Sequence, residues 1–240
     1  MKSGTEIDGV LLVDKAPGMT SHDVVAITRR ALNTKKVGHC GTLDPLATGL
    51  LIITVGRGTK IQDLLMSEDK EYIGTLRLGE TTSSQDADGE ILETKPVDDF
   101  SVEAVERAFA KFKGDFYQTP PMVSAIKKDG VPLYKLARQG KEVVREPRFV
   151  HVYAHEIQEM RLPEIDFRVV CSKGFYVRTY AFDIGTELGC GAHLRALRRT
   201  KSGKFSVQGA ITVDELKTLP REEVQARVLS LPTVSRLRGA

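Results

Sequence analysis

Val37-Gly38-His39-Cys40-Gly41-Thr42-Leu43-Asp44-Pro45-Leu46-Ala47-Thr48-Gly49 runs directly into Leu50-Leu51-Ile52-Ile53-Thr54-Val55. The second part is an apolar run of the length that suits a buried strand. The first part surrounds one carboxylate with backbone-shaping residues. Gly38, Gly41 and Gly49 permit backbone angles closed to other residues. Pro45 fixes its own φ and drives Asp44 toward an extended conformation. Two readings of Asp44 stay open at this point: a carboxylate aimed at a reaction, or an Asp that only caps a turn before proline.

Working outward, Gly9 to Val13 reads as a short strand. Thr20-Ser21-His22-Asp23 is a capping-box start for a helix running from Ser21 to about Leu32. Lys70 to Leu78 alternates, with Tyr72, Gly74, Leu76 and Leu78 on one face and Ile73, Thr75 and Arg77 on the other. Thr81 to Glu90 is polar and reads as a loop or hairpin tip. Ser101 opens an amphipathic helix with Val102, Val105, Phe109 and Phe112 on one stripe, and Gly114 ends it. From Gly114 to Arg148 the composition changes: Pro120-Pro121, Asp129-Gly130, Pro132 opening a short basic helix that Gly140 stops, then Pro147. This stretch reads as an insertion standing off the main body. Phe149 to Met160 and Glu164 to Cys171 alternate as two strands joined at Leu162-Pro163. Val177 to Leu188 reads as a helix burying Val177, Tyr180, Ala181, Ile184 and Leu188, with Gly189 as its stop. Ala192 to Leu197 reads as a short turn of helix, Lys204 to Ile211 as a last strand, and the ending from Thr212 as short, helical and basic. Strands and helices mix without a βαβ cadence, so the expected class is α+β.

At 240 residues and 41% apolar content, the chain can build one large domain or two small ones. It has no apolar run of membrane-spanning length and no signal-peptide core at its start. Three cysteines are an odd count without metal-type spacing. They point to a reduced, cytoplasmic setting, with the thiols as small buried apolar groups. A net charge of +3 says little alone. Lys and Arg cluster at Lys127-Lys128, from Lys135 to Arg148, and at Arg195, Arg198, Arg199, Lys201 and Lys204, either as stripes that track a phosphate backbone or as solvated faces. A nucleophile elbow, a Walker loop and a metal-ligand set are all missing from the sequence. Tyr72 stands in a strand. Arg178 falls in the first turn of a helix, where a cation opposes the dipole, so a carboxylate partner is expected for it.

These residues resemble the bacterial tRNA pseudouridine-55 synthase family, TruB, over nearly the whole catalytic domain. The resemblance rests on residues 38–49, on Lys70-Glu71-Tyr72, and on Pro120 to Lys127 with Tyr134, Ala137-Arg138-Gln139-Gly140 and Arg145. It continues through Cys171 to Thr179, Gly191 to Leu194, and Leu197 to Thr200. Cys40 stands where the family usually has Thr or a similar small residue. The resemblance implies a pseudouridine synthase fold: a mixed, mostly antiparallel central sheet flanked by helices, with an RNA-gripping insertion at about 115–148. It implies a catalytic domain over 1–211 and a short tail, 212–240, in place of a complete RNA-binding domain of the PUA type.

The implied activity is isomerisation of uridine-55 in the T-loop of tRNA to pseudouridine, after the base is flipped out. Asp44 falls on the catalytic nucleophile or base and Arg178 on its partner; attack on the anomeric carbon and removal of a C2′ proton both stay open. Tyr72 falls on the tyrosine under the uracil, and it can also assist removal of the C5 proton. Tyr176 and Leu197 complete the pocket. His39 occupies space the base vacates or contacts its backbone, unless it merely braces the loop. Lys127, Arg138 and Arg145 lie in the RNA grip. No cofactor and no metal are called for. The expected partner is the T-arm of tRNA, without guide RNA or membrane, and the expected state is a monomer. The rival readings are a non-catalytic RNA-binding module or chaperone, the guide-RNA-dependent synthase subunit of archaea and eukaryotes, and an unrelated hydrolase with an Asp nucleophile.

Overall fold

Alternating burial explains most of the strands. The computed structural model describes residues 7–124, 127–128, 130–133 and 143–239. The chain opens with β1 (Gly9–Lys15), α1 (Ser21–Ala31), β2 (Val37–Cys40) and β3 (Thr48–Val55), then a 3-10 turn (Gly56–Ile61) and α2 (Gln62–Met66). Next come β4 (Lys70–Leu78), the hairpin of β5 (Glu80–Thr82) and β6 (Ile91–Thr94), α3 (Val102–Ala110) and β7 (Gly114–Gln118). A small hairpin of β8 (Lys127–Lys128) and β9 (Val131–Pro132) precedes β10 (Arg148–Arg161), β11 (Glu164–Cys171), α4 (Val177–Glu187) and β12 (Ala192–Ser202). The chain closes with β13 (Phe205–Ser206), β14 (Ile211–Thr212), α5 (Val213–Thr218), α6 (Arg221–Ala226) and α7 (Leu231–Arg238). The class is α+β.

Two compact units result, Met1–Glu71 with Arg198–Ala240, and Tyr72–Leu197. In the first, the strand order is β14-β1-β3-β12, with β2 also on β3 and β13 on β12. The pairs β1–β14 and β3–β12 are parallel; β1–β3, β2–β3 and β12–β13 are antiparallel. β3 is paired on both edges and buried on both faces, and burial of both faces is why its sequence is apolar without alternation. Val10, Cys40, Leu50, Ile52, Leu65, Phe205 and Val234 form one apolar cluster. α1 starts where expected. Thr20 Oγ1 accepts from the Asp23 amide at 3.1 Å, and the Thr20 amide donates to Asp23 Oδ2 at 2.8 Å, so two otherwise orphaned amides are satisfied.

The second unit orders its strands β4-β11-β10-β7, with β10 antiparallel to both neighbours. β4 buries Tyr72, Gly74, Leu76 and Leu78, the face anticipated from its alternation. An aromatic cluster joins helices to sheet: Phe109 of α3 meets Phe167 of β11 and Tyr180 of α4 edge-on, each at 5.7 Å between centroids.

Several sequence expectations need correction. Ala192–Leu197 is strand, not helix. Its backbone is committed to ladder-type bonds, Leu194 N–H to Gln85 O and Ala87 N–H to Leu194 O, both 3.0 Å. The three-residue spacing of Leu194 and Leu197 imitated a helical period. The strand expected over Lys204–Ile211 is two short strands, β13 and β14, separated by a turn at Gly209, whose φ is +77°. The stretch before Asp44 is not all loop, since Val37–Cys40 pairs with β3. Val102 is exposed, and Phe112 lies past the end of α3 in the turn before β7. Pro132 belongs to β9; the helix expected from there to Gly140 lies outside the described residues. The ending forms three helices built into the first unit. Val10 and Leu229 exchange both backbone hydrogen bonds, at 2.9 and 2.8 Å.

Asp183, half-buried on α4, has its carboxyl pushed up to about 6 by burial. As pH rises past the ordinary carboxylate value the unfolded chain releases this proton first, so folding stability falls between about pH 4 and 6. Asp183→Asn is therefore expected to raise the thermal midpoint at pH 7 and to leave it unchanged near pH 3.5, as read by circular dichroism melts at the two pH values.

Candidate active site

The Asp44 loop spans the gap between β2 and β3, and its backbone is tied down on several sides. Ser21, in the first turn of α1 and 1% exposed, donates its hydroxyl to Leu43 O at 3.0 Å and accepts from Leu43 N–H at 2.9 Å. Fully buried Lys15 donates to Ala16 O at 2.9 Å and to Pro45 O at 3.3 Å. Gly18 N–H also reaches Pro45 O, at 2.9 Å, and Ala47 N–H closes a turn on Asp44 O at 3.1 Å. Gly41 and Gly49 adopt φ of +84° and +95°, the left-handed region. A Cβ on Gly49 would lie 2.3 Å from Arg199 O, so β12 can approach only glycine there. Gly38 has no positive φ; a Cβ there would meet the movable end of Gln62, whose Oε1 would lie 2.5 Å away. The Asp44 side chain is half-buried.

Arg199 departs from expectation. It was grouped with a basic stripe, but it is 1% exposed. Its Nε donates to Leu50 O at 2.7 Å and its Nη2 to Gly41 O at 3.1 Å. Its neighbour Arg198 is taken up by a bidentate pair with Asp14, at 3.0 and 2.6 Å. The stripe is thus partly an internal brace rather than a solvated face.

His39 leaves β2 beside this loop. Its ring meets His22 edge-on, at 5.1 Å between centroids and 82°. Its Nδ1 is buried without a hydrogen-bond partner among the described residues. Burial first, then the charges of His22 and Arg199, lower its pKa to about 4. Cys40 is buried in the apolar cluster and its thiol is pushed up to about 12, so it is no nucleophile.

In the second unit, Arg178 is the second residue of α4 and 4% exposed. It donates to Ser84 O at 2.9 Å and to Val123 O at 2.6 Å, and its Nε lies 3.6 Å from Asp86 Oδ2. The polar hairpin tip is therefore a holder for this arginine. Asp86 is itself fixed by Ser84 Oγ and by Asp88 N–H at 3.2 Å. Thr179 Oγ1 adds a bond to Gln85 Oε1 at 2.9 Å. A carboxylate partner for Arg178 was legible in the sequence; that Asp86 supplies one was not. Tyr176 caps the same helix, and buried Gln118 holds both of its backbone groups, at 2.8 and 3.1 Å. Tyr72 lies on the buried face of β4, and Leu197 is half-buried on β12. Arg145 donates to Pro120 O at 3.2 Å, tying together the two ends of the insertion. Arg138 and the side chain of Lys127 lie outside the described residues. No cluster of possible metal ligands occurs among the described residues.

The chain matches two family models: "TruB family pseudouridylate synthase (N terminal domain)" over residues 29–177 and "tRNA pseudouridylate synthase B C-terminal domain" over 178–233. It is 58% identical to a tRNA pseudouridine synthase B of Opitutus terrae, over 93% of each chain. It is 48% identical to one of Syntrophotalea carbinolica, over 94% of this chain and 74% of that one. Among solved structures, one chain of a Cbf5-Nop10-Gar1 complex superposes with a TM-score of 0.73 at 29% identity. That match covers 96% of this chain and 62% of the other, so this chain spans about three-fifths of it.

The neutral imidazole of His39 has a measurable consequence. The unfolded chain protonates this residue near 6.5 and the folded one only near 4, so stability is lost as pH falls through that window. His39→Gln is expected to flatten the fall in the urea midpoint between those two values, while the parent shows its His39 ring resonance titrating near pH 4 by NMR. A ring titrating near 6.5 would contradict the buried environment.

Proposed function

This chain is a member of the TruB family of pseudouridylate synthases, and from that membership we propose that it converts uridine-55 in the T-loop of tRNA to pseudouridine. The observation that carries the proposal is the Asp44 loop, a half-buried carboxylate on a backbone anchored by buried side chains. It occurs in a chain 58% identical to a tRNA pseudouridine synthase B across 93% of both.

The reaction breaks the bond from the ribose to N1 of uracil, turns the base, and rejoins it through C5 with loss of the C5 proton. In this reading Asp44 acts ionised, either on the anomeric carbon or on the C2′ proton. In this reading Arg178 supplies the positive charge that favours the ionised carboxylate. The grip of Asp86, Ser84 and Val123 on Arg178 holds that guanidinium in one place before substrate arrives. Tyr72 offers a flat face for the flipped base, with Tyr176 and Leu197 completing the pocket. His39, neutral and partly apolar in its surroundings, fills the space the base leaves. Residues 1–211 carry the chemistry, and the insertion at about 115–148, with Lys127, Arg138 and Arg145, grips the RNA. The enzyme works without cofactor, as a monomer in the cytoplasm.

The guide-dependent alternative is the weaker one. The chain matches a synthase B over almost its full length at twice the identity it shows with the chain of the Cbf5-Nop10-Gar1 complex, of which it spans 62%. No helix among the described residues is long and apolar enough to cross a membrane.

Unmodified tRNA labelled in uridine tests the proposal. Pseudouridine is expected at position 55 alone and without added guide RNA; modification elsewhere would redirect the assignment. Asp44→Asn should abolish turnover with RNA binding retained. Arg178→Lys should cut turnover by about a hundredfold or more, because an ammonium cannot serve three acceptors spread around a planar fork. Removing basic residues over 127–148 should weaken binding and flatten its dependence on salt.

A further inference from the structure

We propose that Ser21 and Arg199 are positioning residues for catalysis, together setting where the Asp44 carboxylate points. The proposal rests on Asp44 being the reactive group.

Arg199 is a buried cation whose hydrogen bonds go to carbonyls, and no carboxylate pairs with it among the described residues. Burying a charge in this way is costly, so an arginine here needs a return that an apolar residue could not supply. Its two donors land on Gly41 O and Leu50 O, at the two ends of the loop carrying Asp44. The guanidinium is planar and its N–H groups point in fixed directions, so it sets the distance between those carbonyls as a flexible ammonium would not. The backbone of the same residue lies against Gly49, its register partner across β3 and β12. One residue thus touches both glycines that frame the loop.

Ser21 acts on the middle. Leu43, directly before Asp44, is buried, and its N–H and C=O both bond to the one Ser21 hydroxyl. That hydroxyl substitutes for a neighbouring strand where none is present. It is carried by the first turn of α1, itself closed by the Thr20–Asp23 capping box, so the anchor sits on a regular element. Between Arg199 at the ends and Ser21 at the centre, the loop has little freedom to let Asp44 drift. A displacement on the order of 1 Å in a reacting group can cost about a hundredfold in rate. A residue that acts this way changes turnover and not substrate capture.

Steady-state kinetics and hydrogen exchange on the full chain test this with Ser21→Ala, Arg199→Lys and the double variant. Ser21→Ala should lower kcat by about ten- to a hundredfold with KM for tRNA within about twofold. Amide exchange at residues 42–44 should quicken while α1 and β3 keep their protection. Arg199→Lys, which keeps the charge and loses the span, should show the same pattern, and the double variant should fall well short of the product of the two losses. If Arg199→Lys does not fold, the Ser21→Ala result decides alone. Unchanged kcat and unchanged exchange in Ser21→Ala would overturn the proposal, as would a raised KM at constant kcat, which would make Ser21 an RNA contact. Asp44→Asn runs in parallel: turnover in that variant would sink the reading of Asp44 itself, while the exchange data still report whether the loop is held.

Discussion

The buried guanidinium of Arg199 is the constraint around which the Asp44 loop is arranged. It reaches Gly41 O and Leu50 O at once, and its own backbone occupies the space that a side chain on Gly49 would need. The positive φ at Gly41 and Gly49, the parallel register of β3 on β12, and the glycine requirement beside it follow from this one placement. The apolar content of β3 has a separate cause: both of its faces are buried, which leaves no room for polar side chains that lack partners. Ser21 then completes at the centre of the loop what Arg199 does at its ends.

The second unit solves a similar problem with different chemistry. Arg178 opens α4, where the helix dipole works against a cation. Two carbonyls and the Asp86 carboxylate offset that placement. The residue before it in the chain is Val177, and the one before that, Tyr176, is pinned through both backbone groups by the Gln118 amide. Both units therefore use one polar side chain to satisfy the N–H and C=O of a single residue, Ser21 on Leu43 and Gln118 on Tyr176. In each case the clamped residue lies within two positions of a candidate catalytic side chain.

What could be read from the sequence, and what could not, divides along range. The Asp44 loop was visible because glycine and proline act on their own backbone. The strand through Tyr72 was visible because burial on one face leaves a period of two. Arg178 announced itself as a cation in the wrong place, but Ser84, which accepts from it, lies 94 residues away, and no local pattern marks such a pairing. Arg199 was hidden for another reason. An arginine that donates to backbone carbonyls has the same letter as one in solvent, and its neighbours were basic too. Ser21 lies inside the capping-box sequence, but the box is made by Thr20 and Asp23, and the Ser21 hydroxyl is engaged at Leu43. The family resemblance named side chains expected to act chemically and assigned no role to the residues that hold them.

The exchange of backbone bonds between Val10 and Leu229 bears on how the molecule comes to exist. The first unit is assembled from both ends of the chain, whereas the second is continuous. During synthesis at about 5–20 residues per second, β1 emerges roughly ten to forty seconds before the segment that completes its pairing. The continuous unit can close in that interval. The strand that shares its core with Val234 cannot, and must wait as an apolar segment with an unfilled edge. The loop carrying Asp44 depends on Arg199, which is also made late. The Asp44 loop therefore gains its Arg199 brace only after β12 has been made, a timing written into the topology.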